Sequence, residues 1–162
     1  MQARLLVPVI MLIALGALVV SQIPEESAAS PSLSVSKEVA KLIVVIKSDV
    51  GMSQKLMAFE KLRKKGSADA ISELVSLTDH SDPRISSTAC ATLGRIQTET
   101  SKGKLKNIIK NTAKKTELRK AAMNALACHG SSSDRSWIES KTKNDSKLGS
   151  HFTVVSKTKF WK

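Results

Sequence analysis

SDPRISSTACATLGRI, from Ser81 to Ile96, decides the fold. Asp82 has a short acceptor side chain suited to an unpaired amide at a helix start, and Pro83 follows where a missing N–H costs nothing. Ile85, Ala89, Leu93 and Ile96 then recur at spacings of three and four, which aligns them on one helical stripe. Ala89 is small enough to let a neighbouring helix approach closely.

The same pattern returns on both sides at intervals of 31 to 34 residues. Ala58 with Leu62 precedes Ala89 with Leu93, and Ala122 with Leu126 follows. Ahead of each pair runs another apolar series: Val39, Leu42, Ile43 and Ile46; Ile71, Leu74, Val75 and Thr78; Leu105, Ile108, Ile109 and Thr112. The unit is a helix pair repeated three times. Such pairs bury their stripes against one another and stack, so the expected fold is all-α, a short α-solenoid whose extended surface is built for binding.

The Asp82-Pro83 start, the aliphatic Ile85 and the Leu93-Gly94 ending resemble the HEAT repeat, particularly the variety first named from phycobilisome lyases. The resemblance covers roughly residues 55–128. The third copy, TELRKAAMNALACHG, carries the pattern's Leu118, Arg119, Ala122 and Leu126, with Ala127 where glycine is common, and the first copy keeps Ala58 and Leu62. The resemblance implies a binding scaffold. A lyase-type enzyme or enzyme subunit using Cys128 and His129 is the alternative, although a bilin lyase would need a chromophore pocket and an acidic or nucleophilic constellation. The paired His-Glu motifs of HEAT-type metal hydroxylases do not occur.

No HExxH, GxSxG, phosphate-cradling glycine loop or CxxCH is present, and His80, His129 and His151 stand far apart. The sequence therefore names no catalytic residue, metal ligand or cofactor. Cys90 sits at the register of Phe59 and Met123 and reads as a packing residue, while Cys128 ends the third pair's second helix. Adjacent helices about 10 Å apart are too distant for a disulfide, which needs Cα atoms within about 7 Å, so no bond between them is expected.

Four segments follow. Residues 1–21 contain the uncharged run Leu5 to Val20, preceded by Arg4 and followed by Glu25 and Glu26, which reads as a signal peptide or signal anchor; cleavage after Ser21 fits. Positive charge lies before the run, and none follows until Lys37, so the bulk is expected outside the cytoplasm: exported, or membrane-anchored with the leader contacting the bilayer if uncleaved. Residues 22–36, with Pro24 and Pro31, read as a flexible linker. Residues 37–141 form the solenoid, with Trp137 and Ile138 opening a capping helix. Residues 142–162 are a basic, aromatic tail, with a loose stretch from Lys141 to Ser150; Phe152, Val154, Val155, Phe160 and Trp161 make it apolar enough to dock back on the solenoid or lie at a membrane surface. Asn144-Asp145-Ser146 also fits a glycosylation acceptor, a pattern common by chance.

Charge supplies the remaining clue. The formal net charge is +12, from 26 basic and 14 acidic residues. Lys102, Lys104, Lys106, Lys110, Lys114, Lys115, Arg119 and Lys120 crowd the third pair against Glu117. With Leu105, Ile108 and Ile109 facing inward, these side chains are expected on the solvent side, attracting anions. Lys104, Lys106, Lys110, Lys114, Lys115, Arg119 and Lys120 are thus the candidate partner-binding patch. An acidic protein is the favoured partner, with anionic lipid or glycan as alternatives. Nucleic acid ranks last for an exported chain that has no tyrosine and few aromatic platforms.

Overall fold

A computed structural model describes residues 35–157. The expected leader, most of the linker, and Phe160 and Trp161 lie outside the described residues. Within them the chain is all-helical: α1 (Lys37–Lys47), α2 (Met52–Lys65), α3 (Ala68–Leu77), α4 (Pro83–Ile96), α5 (Glu99–Lys110), α6 (Thr116–His129), α7 (Ser132–Thr142) and α8 (Gly149–Val155). The first six form three pairs, α1 with α2, α3 with α4 and α5 with α6. The second helices stack directly, α4 between α2 and α6, which makes the fold a short α-solenoid.

Local chemistry sets the boundaries. Ser36 caps α1 by accepting from the Val39 amide at 3.3 Å, Asp82 caps α4 through the Arg84 amide at 2.9 Å, and Thr98 caps α5 through the Ser101 amide at 3.2 Å. The α2 helix ends at Gly66, whose φ of 56° lies in the left-handed region. The stripes then fill one continuous core. Val39, Ile46, Leu62, Leu74, Leu93, Leu105 and Leu126 are fully buried, as are the aligned alanines Ala58, Ala89 and Ala122. Burying one Leu or Ile in this way is worth about 1.5–3 kcal/mol.

Gly94 supplies the closest approach. A Cβ there would lie 2.7 Å from the backbone oxygen of Ala125, so α4 and α6 meet at a separation only glycine permits. The glycine of the second copy is therefore fixed by the third helix pair, which explains its place in the pattern. Cys90 is fully buried beside these residues, and Cys128 is exposed; both are free thiols.

Three expectations need correction. Thr112 does not continue the α5 stripe, because Asn111 ends the helix: its side chain accepts from the Ala113 amide at 3.0 Å and turns the chain, leaving Thr112 exposed. The capping helix begins at Ser132 rather than near Trp137, because Ser131 and Asp134 form a reciprocal capping box. The stretch after Lys141 is not loose. Thr142 and Leu148 are buried, and the Asp145 carboxylate accepts from the Lys147 and Leu148 amides at 2.9 and 3.0 Å. The α8 helix then packs against α6 and α7, with Phe152 and Val155 partly buried on the core.

Candidate functional site

The third pair's basic residues divide into two groups. Lys104, Lys110 and Lys115 are exposed and form no ion pair among the described residues. Lys102 lies 3.0 Å from Glu99 and 3.5 Å from Asp134, and Lys106 lies 2.6 Å from Asp134. Lys106 also sits over the Trp137 ring, 5.4 Å from its centroid. Lys114 pairs with Asp79 and joins the second and third pairs, while Lys120 pairs with Glu117 at 3.0 Å.

Arg119 departs furthest from the solvent-side expectation, since the whole residue is 3% exposed. Its Nε donates to the Ile109 carbonyl at 2.8 Å, satisfying a group that the end of α5 leaves open. The same guanidinium pairs with Asp145 and fastens the turn before α8. Arg119 is a structural clamp, and the clue in the sequence was its place in the repeat pattern rather than in the lysine run. Asp134 is likewise interior. Burial raises its pKa, but the Lys106 ammonium and the Ser131 amide and hydroxyl outweigh that effect and hold it well below the usual carboxylate range.

A groove of about 370 Å³ runs between α4 and α6. Ser87, Thr88 and Ala91 form one wall, and Ala121, Asn124 and Cys128 the other, with His129 at one end. It continues past Asn124 to His151 of α8, whose Nε2 is 2.9 Å from the Asn124 Oδ1. Burial, followed by the nearby Arg95 charge, lowers the His129 pKa and favours its neutral form. On the next interface of this face, Arg95 of α4 reaches Glu60 of α2 at 3.3 Å. Small residues make the groove shallow, so it suits an extended surface better than an enclosed small molecule. The sequence identified the inward stripe, but the groove residues lie on the opposite side and carried no distinctive pattern.

Another basic cluster was missed. Lys41 of α1 and Lys61, Lys64 and Lys65 of α2 border a cleft of about 550 Å³ that has Leu42 on its wall and Glu38 at one side. Of these four lysines only Lys65 is ion-paired among the described residues, to Glu38. The signal was weak in the sequence because these lysines come from two helices and form no run.

Cys90 shows the opposite chemistry to an exposed nucleophile: burial, then the Asp79 charge, pushes its thiol up to about 12. Among the described residues no group of three or more His, Cys, Asp or Glu could hold a metal ion, and no helix is long and apolar enough to cross a membrane.

The family of HEAT repeats matches residues 39–127, more than half of the chain and all three helix pairs. No curated protein and no solved structure gives a significant match.

Proposed function

Because the chain belongs to the HEAT-repeat family, we propose that it is an exported or outward-facing binding module that recognises an acidic macromolecular partner through its helical surface. HEAT repeats generally serve as scaffolds for protein interactions. The observation that carries the reading is the α4–α6 groove, where Ser87, Thr88, Ala91, Ala121 and Asn124 leave a seat accessible along two stacked helices. Exposed and unpaired, Lys104, Lys110 and Lys115 supply the field that steers an acidic partner, raising its association rate more than its final affinity.

The test is cross-linking of the full chain in intact cells to isolate the partner, followed by binding of Ala91→Arg. A bulky side chain in the groove weakens binding by about tenfold or more, the cost of losing a central contact of roughly 1.4 kcal/mol or above. Thermal stability stays unchanged because Ala91 is exposed. Undiminished binding would remove the groove from the interface. A lyase-type activity is the second reading, prompted by Cys128 and His129 lying together on the groove. It requires that Cys128→Ser abolish turnover while leaving partner binding intact.

A further inference from the structure

The cleft at the outer edge of the first helix pair combines features that the groove lacks. Lys41, Lys61 and Lys64 form no ion pair among the described residues and stand around a wall formed by Leu42, and Val44, Leu56 and Met57 of the same pair are large apolar side chains left exposed. Lys64 and Lys65 also complement the carboxyl end of the α2 dipole, which accounts for those two but not for Lys41 or Lys61. The cleft is bordered by flexible ammonium groups, with no arginine fork to fix one anion in one pose. That chemistry matches a fluid array of phosphates better than a single shaped ligand. Lysine stems lie along apolar surface while their heads reach charge, the arrangement used at bilayer interfaces.

Chain connectivity points the same way. Fourteen residues separate Val20, the end of the apolar run, from Val35, the first described residue before α1. A bilayer holding that run would lie within about 50 Å of chain from Val35, which leads directly into α1 and its cleft residues, even at full extension.

We infer that the outer edge of the first helix pair is a membrane-contact surface for anionic phospholipid headgroups, with Lys41, Lys61 and Lys64 meeting phosphates and Leu42 facing their apolar border. The inference rests on reading Leu5 to Val20 as a membrane-directed leader. It is independent of which protein occupies the α4–α6 groove.

The test is cell-free synthesis of the full chain in the presence of vesicles, either pure phosphatidylcholine or phosphatidylcholine with 30% phosphatidylglycerol. Flotation yields and the lipid concentration for half-binding are then compared. Binding to neutral vesicles reports the leader, and the anionic-to-neutral ratio reports the cleft. The wild type should prefer anionic vesicles by at least about tenfold, since each lysine near such a surface contributes appreciably, and 0.5 M salt should erase most of that preference.

K41E/K61E/K64E should abolish the preference while neutral-vesicle binding persists, and K41Q/K61Q/K64Q should show an intermediate ratio with an unchanged circular dichroism spectrum. K104E/K110E/K115E on the third pair should keep the preference. An unchanged ratio in the first-pair variants, or an equal loss in the third-pair variant, would overturn the assignment. So would its elimination by millimolar inorganic phosphate at constant ionic strength, which would identify a free-anion site. Failure of the wild type to bind neutral vesicles would refute the leader reading alone, because binding to anionic vesicles, compared between the wild type and the first-pair variants, still tests the cleft.

Discussion

In the third helix pair Lys102 and Lys106 converge on Asp134, Lys114 reaches Asp79, Lys120 reaches Glu117, and Arg119 is buried against Asp145. In the first pair Lys41, Lys61 and Lys64 border an open cleft and meet no carboxylate within ion-pair range among the described residues. Both pairs are rich in lysine, yet one uses much of its charge to hold the fold and the other presents its charge outward. The difference comes from neighbours. The third pair is flanked by α3–α4 on one side and by α7 and the turn before α8 on the other, and these bring Asp79, Asp134 and Asp145 to it. The first pair has a packed neighbour on one side only within the described residues, and there Glu60 is taken by Arg63 at 2.7 Å and Arg95 at 3.3 Å.

Removing the clamp should have the largest effect. Arg119→Ala leaves the half-buried Asp145 carboxylate unpaired and the Ile109 carbonyl open, and losing one partner of a buried pair costs about 3–5 kcal/mol. Chemical denaturation should show this as a lower midpoint, with α8 losing hydrogen-exchange protection first. A loss below about 1 kcal/mol would mean that the pair behaves as a surface bridge, and the contrast between the two regions would collapse.

Acid should act next. Asp134 is held well below its ordinary value, and Asp69 and Asp82 are lowered to about 2, by Ser67 and the Ser36 amide in one case and by Arg84 in the other. A carboxylate with a depressed folded pKa stabilises the protein fully above its unfolded value of 3.8. That contribution is lost as pH falls towards the folded value, so the carboxylates should make the thermal midpoint fall from about pH 4 towards 2. A separate, earlier loss should set in below about pH 6.5, because the lowered pKa of His129 and His151 lets the unfolded chain take up those protons first. Asp134→Asn should flatten part of the carboxylate decline, whereas a change in the first-pair lysines should leave it intact.

The smallest expected effect is the sharpest for the comparison. Lys64→Ala and Lys104→Ala remove exposed charges without ion pairs and should each shift stability by no more than about 0.5 kcal/mol. Lys106→Ala breaks a 2.6 Å bridge to a buried carboxylate and should exceed both in the same urea titration. Equal values for Lys64 and Lys106 would show that the Asp134 bridge adds nothing.

Much of the fold was legible along the chain because its signals are local and periodic. Asp82-Pro83 announces a helix start, the three-and-four spacing of Ile85, Ala89 and Leu93 gives the buried face, and the repeat shows how many such units stack. The early end of α5 was hidden because Asn111 competes through its own side chain, which outranked the apolar register at Thr112. The buried Thr142 and Leu148 were hidden because Asp145 orders a polar segment through a partner 26 residues away. The candidate surfaces were harder to read than the core, since exposed positions are constrained by no period.

What the sequence determined by itself is the class of fold, the three paired helices and the inward stripe, because backbone hydrogen bonding and apolar burial act over a few residues and leave a regular imprint. What only the tertiary structure decided is where charge is free. An ion pair requires two groups within about 4 Å, and stacking brings Lys106 to Asp134 and Arg119 to Asp145 across 28 and 26 positions of chain, while gathering Lys41, Lys61 and Lys64 from two helices around one cleft.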